Sequence, residues 1–122
     1  MRWCGIGLLG LCLSVCAPAW PQEQVEPGTG VVLRWLDKIN GTTQDIEMAN
    51  ATSHQQSSLR IELGECRHPV GNPAGDAYAF LTIHAENDTK PVFSGWMIAS
   101  SPALNPMEHP RYDVWVLRCL TQ

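Results

Sequence analysis

Apolar and polar positions alternate along most of this chain, and no window of useful length carries a helical period. Leu59, Ile61 and Leu63 alternate with Arg60, Glu62 and Gly64, which predicts a strand with one buried face. Cys66 falls out of phase with those apolar positions. A bulge at Gly64-Glu65 would return it to the inner face, and glycine makes that easy. Ala77 to Ala85 is apolar on both faces, with Tyr78 and Phe80 on one and Leu81 and Ile83 on the other, and reads as a central strand covered on both sides. Pro91 to Ala99 is strand-like. Tyr112 to Cys119 predicts the last strand, with Trp115, Leu117 and Cys119 on one face. Earlier in the chain, Asn40-Gly41 is the favoured pair for a type I′ hairpin turn, whose two central residues need positive φ. Folding there sets Trp35 opposite Ile46, Leu33 opposite Met48, and Arg34 opposite Glu47 as an ion pair on the other face.

The remaining stretches are connections. Trp20 to Gly30, rich in Pro, Gln, Glu and Gly, reads as a short flexible leader, with order beginning near Val31. Asn50 to Ser58 and Arg67 to Asp76 read as loops, and Glu86 to Lys90 as a polar turn. Ser100 to Pro110 holds three prolines and cannot be a regular strand, although Ala103 to Met107 has the makings of a helical turn. About six short strands separated by Gly/Pro/Asn loops predict one all-β domain over residues 31–122, a small antiparallel sandwich or barrel.

Residues 1–19 have the layout of a secretory signal peptide. Arg2 supplies a positive start, Gly5 to Val15 an uncharged apolar core, and Ala17-Pro18-Ala19 small residues for cleavage after Ala19. The uninterrupted apolar run is shorter than the roughly 18 residues a membrane span requires and ends at Pro18, and no other stretch could cross a membrane. Leu13-Ser14-Val15-Cys16 loosely resembles a lipoprotein signal, but Val15 is bulky where such signals carry a small residue; lipid anchoring at Cys16 is the lesser expectation. The chain has 122 residues and a formal charge of −4. Mild acidity argues against nucleic acid and against anionic headgroups as partners. Cleavage would remove Cys4, Cys12 and Cys16 and leave Cys66 and Cys119. Two cysteines in an exported domain most simply form one disulfide, closing a loop of roughly fifty residues. The competing reading is a metal or redox site built on Cys66 and His68.

Catalytic patterns are weak. His54, His68, His84 and His109 show no i, i+2 or i, i+4 spacing, so a zinc site has no local support, and no cofactor is expected. Ser94 and Ser100-Ser101-Pro102 lack the Gly-x-Ser-x-Gly turn, although Ser94, His109 and Asp113 could be assembled on paper into a triad. Glu62, Glu65, Glu86, Asp88 and Glu108 are explained better by surface solvation than as a glycosidase pair. Asn40-Gly41-Thr42, Asn50-Ala51-Thr52 and Asn87-Asp88-Thr89 are glycosylation triplets in some hosts and ordinary turn residues in all. The most distinctive segment runs from Phe93 to Trp115, with aromatic residues and Met97 around the prolines. Either these side chains are core, or some form an exposed docking patch. The candidate binding surface is Phe93, Trp96, Met97, Ser101, Pro102, His109, Tyr112 and Asp113.

Several of these motifs together resemble the bacterial family called domain of unknown function 2155, seen chiefly in exported alphaproteobacterial proteins. The resemblance rests on Leu33-Arg34-Trp35-Leu36-Asp37-Lys38 followed by Gly41, on Leu59-Arg60-Ile61 and Cys66, and on Phe93-Ser94-Gly95-Trp96-Met97. It continues through Ala99-Ser100-Ser101-Pro102-Ala103-Leu104, Glu108-His109-Pro110, and Tyr112-Asp113-Val114-Trp115-Val116-Leu117 with Cys119. Ser58 departs from it where glycine is expected before the Leu59 strand, which bears only on that turn. The resemblance implies a bacterial periplasmic setting, which lowers the glycosylation reading. It places Cys66 and Cys119 in the family pattern, which suits a disulfide, and it assigns no catalytic residue. The leading expectation is a periplasmic, non-catalytic accessory or protein-interaction module of the cell envelope, its partner another envelope protein. The alternatives are a small periplasmic metal-binding protein or hydrolase using His84, His109 and Asp113, and a purely structural envelope protein.

Overall fold

Eight strands build the domain in a computed structural model that describes residues 23–122. The expected signal segment, its cleavage site and Cys16 lie outside the described residues. In chain order the strands are β1 (Val25–Pro27), β2 (Gly30–Asp37), β3 (Thr43–Ala49), β4 (Thr52–Gln56), β5 (Leu59–Pro69), β6 (Tyr78–Ala85), β7 (Phe93–Ile98) and β8 (Tyr112–Leu120). One sheet runs β1-β5-β6-β7, with β4 also paired to β5; the other runs β3-β2-β8. All pairings are antiparallel. The sheets enclose one core in which Leu33, Leu59, Ile61, Leu81, Ile83 and Val116 are buried. This is the expected all-β sandwich, with the expected disulfide: Cys66 on β5 is bonded to Cys119 on β8, joining the two sheets with Cα atoms 5.7 Å apart.

Two strands were not expected. β1 falls inside the segment read as a flexible leader, so the folded unit begins ahead of Val31. β4 falls inside the segment read as the Asn50–Ser58 loop. Both lie along the same edge of β5, β4 beside Leu59–Leu63 and β1 beside Arg67–Pro69, and β5 extends to Pro69 accordingly. Between them the β5–β6 register slips from Leu63↔Leu81 to Cys66↔Ala79, which is the Gly64-Glu65 bulge. The helical turn expected at Ala103–Met107 is instead a single hydrogen-bonded turn, Leu104 N–H to Ser101 O at 3.0 Å.

Three expectations of register are corrected. The hairpin closes by a four-residue loop, Lys38 to Gly41, and not by a two-residue type I′ turn. Asp37 N–H bonds Thr42 O, Gly41 carries the positive φ of 75°, and Asn40 is not in the left-handed region. The carboxylate of Asp37 accepts the Ile39 N–H and the carboxamide of Asn40 accepts the Thr42 N–H, so side chains rather than two positive φ values shape the loop. Leu33 consequently faces Ile46, Trp35 faces Gln44, and Arg34 pairs with Asp45 (2.8 Å) instead of Glu47. β6 is central but covered on one face only: Ala79, Leu81 and Ile83 are buried, whereas Tyr78 and Phe80 are half-exposed. On β8, Tyr112, Val114 and Val116 point inward while Trp115 and Leu117 face out. A second bulge, between the pairs Leu33↔Val116 and Val32↔Arg118, then turns Cys119 inward.

Candidate functional site

Alternation along β7 splits the aromatic segment. Phe93 and Met97 are buried in the core and Trp96 projects from the outer face of the larger sheet, 39% exposed. Tyr112, at the start of β8, is also core, its ring 5.5 Å from that of Trp35. Phe93, Met97 and Tyr112 therefore belong to the fold and not to a binding surface, which corrects that part of the expectation. Trp96 meets Phe80 edge-on at 5.4 Å and lies under the Arg67 guanidinium, 5.7 Å from the ring centroid. It is not among the residues lining the groove beside the β7–β8 loop.

That loop, Ala99 to Arg111, is held along its whole length by hydrogen bonds. At its start Asp76 accepts the Ser100 N–H (2.9 Å) and hydroxyl (2.6 Å). In the middle, Asn105 Nδ2 donates to Trp96 O (3.0 Å), and Met107 is buried. At its end His109 Nδ1 accepts the N–H groups of Arg111 and Tyr112, so the ring proton sits on Nε2, and the imidazole stacks on Tyr112 at 5.2 Å. Lys38 adds two bonds from the hairpin, Nζ to His109 O and N–H to Arg111 O.

The clasp between hairpin and loop is electrostatic. Arg111 reaches buried Asp37 through Nε and Nη2, the shortest contact being 2.9 Å. The Arg111 guanidinium holds the Asp37 carboxyl below the usual carboxylate range. Burial opposes this, and the backbone N–H groups of Ile39 and Asn40 add to it. The same pairing raises Arg111.

Pinned in this way, the loop forms one wall of a groove of about 390 Å³ lined by Pro102, Ala103 and Pro106, with Asp113, Val114 and Trp115 of β8 opposite. Of the proposed surface residues, the groove brings together Pro102 and Asp113. Ser101 is exposed beside Pro102, and His109 serves the loop end. Ala103 and Pro106 were missed, and Trp115, noticed in the segment, was not placed among the binding residues; proline spacing in the loop is the signal that could have flagged Pro106. Asp113 accepts its own neighbour's N–H, from Val114.

Two other cavities are built differently. One of about 440 Å³ lies at the β4–β5 and β6–β7 turns and includes Gln55, Arg60, His84 and Asp88. Its Arg60 and His84 already face Glu62, at 3.0 and 3.6 Å. A shallower one of about 270 Å³ is formed by Glu23, Val25, Arg67, Tyr78 and Trp96. Among the described residues no three His, Cys, Asp or Glu side chains converge to hold a metal ion. Among the same residues no hydrogen bond joins Ser94, His109 and Asp113, and no helix is long and apolar enough to cross a membrane.

Fold and site together define a disulfide-linked β-sandwich with a proline-walled groove along one strand edge. The chain belongs to the bacterial family called domain of unknown function 2155, described as an uncharacterized protein conserved in bacteria, which matches residues 31–119. It is also similar to an uncharacterized protein of Rickettsia prowazekii (strain Madrid E), 29% identical over 87 residues, which cover 69% of this chain and 56% of the relative. The chain thus spans little more than half the length of that relative. No solved structure matches.

Proposed function

We propose that this protein is an exported, non-catalytic interaction module of the cell envelope, which holds a partner protein in the groove between its proline-bearing loop and β8. One observation carries the reading. A loop fixed by Asp76, Asn105, His109 and Lys38 presents prolines to an open groove whose opposite wall is Trp115 of β8, instead of folding them into the core. Preformed, mostly apolar grooves with few polar groups suit binding, because little ordering cost remains to be met on association. Export, and a periplasmic site in particular, is supported by the signal-like pattern of residues 1–19 and by a pair of cysteines joined in a disulfide, a bond rare in reducing compartments.

The test is a photo-crosslinking residue introduced in intact cells at Pro102, in the groove wall, and separately at exposed Val70 on the β5–β6 loop. A discrete adduct with an envelope protein from Pro102 and not from Val70 is the expected result. Identical adducts from both positions, or none from Pro102, refute it. N-terminal sequencing of the protein from the periplasmic fraction should begin at Trp20; cytosolic material with residues 1–19 intact overturns the export reading.

A further inference from the structure

We infer that β4 pairs antiparallel with the β4 of a second copy of this chain, so that the larger sheet runs on through a two-fold dimer. The ladder phase shows the edge. Ser57-Ser58 alone joins Gln56 to Leu59, so these two exchange both backbone bonds, and narrow pairs recur at His54↔Ile61 and Thr52↔Leu63. The bond from Glu86 N–H to Ser58 O fixes the same phase from the β6 side. Ala51, at a φ of 60°, stands outside this alternation and gives its N–H to Gly64 O. The N–H and C=O of Ser53 and Gln55 therefore point away from β5. Both residues are exposed. Among the described residues no strand lies beyond β4, and no hydrogen bond takes these backbone groups.

The other edges are closed or guarded. On β7 the outward carbonyls of Trp96 and Ile98 already accept Asn105 Nδ2 and the Ser101 N–H. On β8, Val114 and Val116 are buried. β1 has three residues and ends in Pro27. β3 is exposed but carries Asp45 and Glu47, so an antiparallel copy would set carboxylate beside carboxylate. β4, Thr52-Ser53-His54-Gln55-Gln56, has no Asp, Glu, Lys, Arg or Pro. Charge and proline are the usual means by which an edge strand refuses another strand, and an edge without them is a template for pairing.

The occupant is a second copy because the strand is complementary to itself. Turned antiparallel about a two-fold axis at His54, two copies overlap over the whole of Thr52–Gln56. Ser53 then faces Gln55 of the other copy. These are the residues whose backbone groups are free, so each donor meets an acceptor. Charge selects the same register. Leu59, Ile61 and Leu63 point into the core, so Arg60 and Glu62 stand on the outer face, Arg60 beside Gln55 and Glu62 beside Ser53. With the axis at His54, Arg60 of one copy and Glu62 of the other share a row across the junction. An axis at Ser53 would align Glu62 with Glu62, and an axis at Gln55 would align Arg60 with Arg60. The Arg60–Glu62 ion pair, 3.0 Å within each copy, thus meets its counterpart head to tail. None of the groove-lining residues lies on β4, so the two interactions do not compete for residues.

The test uses the disulfide-bonded protein. Sedimentation equilibrium from about 10 μM to about 1 mM should show a reversible monomer–dimer equilibrium. Over the same range, amide exchange at Ser53 and Gln55 should slow roughly tenfold while exchange at Glu47 on β3 stays constant. Ser53→Lys with Gln55→Lys opposes like charges in both facing pairs and should raise the dissociation constant roughly tenfold or more. Ser53→Lys with Gln55→Glu opposes unlike charges in both and should bring it back to the wild-type value or below. All these positions are exposed, so the core resonances should not move. If either variant fails to fold, the concentration dependence of exchange in the unmodified protein decides alone. A monomer throughout that range overturns the inference, as does a dimer whose Ser53 and Gln55 amides exchange as in the monomer, or one that the two variants affect alike. So does a photo-crosslinking residue at Gln55 that, in intact cells, joins only a foreign protein.

Discussion

Replacing Cys66 and Cys119 together with alanine should remove most of the margin by which this domain is stable. The bond closes a loop with a sequence separation of 53 residues. For that length the chain-entropy relation gives about 4 kcal/mol, all of it acting by widening the freedom of the unfolded chain. Both cysteines are buried against the core, so two truncated side chains add about 1 kcal/mol of lost packing. A domain of this size has about 5–15 kcal/mol in total. The melting temperature should therefore fall by roughly 15–30 °C. Urea unfolding of the oxidised protein and of the double variant at neutral pH measures the difference directly. Reducing the unmodified protein should reproduce most of the loss, because the constraint on the unfolded chain is what matters. A loss below about 1 kcal/mol would refute the entropic argument. Alkylation of both sulfurs before any reductant is added would refute the pairing itself.

Further outcomes follow from particular contacts. Asp37→Asn should destabilise the protein at pH 6, and the difference from wild type should shrink as the pH falls through the range below 4. A carboxylate whose folded pKa is depressed stabilises above its unfolded value and loses that contribution as it protonates; melting curves of both proteins between pH 2.5 and 6 check this, and a constant difference sinks it. Gly28→Ala should cost about 1–3 kcal/mol, since an added Cβ would lie 2.6 Å from Leu120 O and 3.1 Å from the Cys119 Cβ, both held in place by the staple; urea midpoints report it. Tyr112→Ala should cost about 3–5 kcal/mol and Trp96→Ala under about 2, because one ring is core and the other lies on a sheet face. Equal losses would overturn that division.

Local pattern was informative where one face of a strand is apolar and the other polar. Leu59, Ile61 and Leu63 gave the inner face of β5, and Gly64 marked its bulge, because alternation names a face and glycine marks where it slips. The same logic misplaced β8. Val114 and Val116 are as apolar as Trp115 and Leu117, so period two predicts a strand without choosing its inward face, and the bulge there carries no glycine. β4 was invisible because neither of its faces is fully buried; it exists by pairing with β5. The hairpin register was lost to a tertiary contact. Asp37 is drawn to Arg111, 74 residues away, and its carboxylate then organises a loop that Asn40-Gly41 alone would have made shorter. At the candidate site, aromatic side chains drew notice and mostly proved to be core. Of the loop residues that form the groove wall, Ala103 gave no compositional signal, and Pro106 only that of the proline spacing.

The two bulges and the two cysteines are one arrangement. Each cysteine follows an apolar run from which it is out of phase, and in each strand one extra residue restores the phase just before the sulfur. Without the slip at Gly64-Glu65 the first sulfur would face away from the other sheet, and without the slip at Leu117 the second would. The β8 bulge has a further effect. It interrupts the regular β2–β8 register just after Val116, on the strand that faces Pro102 and Pro106 across the groove. The bond at Cys119 then anchors the far end of that same strand to β5. The groove's β8 wall is thus fixed at one end by the covalent link and at the other by the Asp37–Arg111 clasp. Severing the bond should loosen Val114 to Val116 before it disturbs the β2–β3 hairpin. Residue-resolved amide exchange on the reduced protein would show that order, and loss of protection in the hairpin first would contradict it.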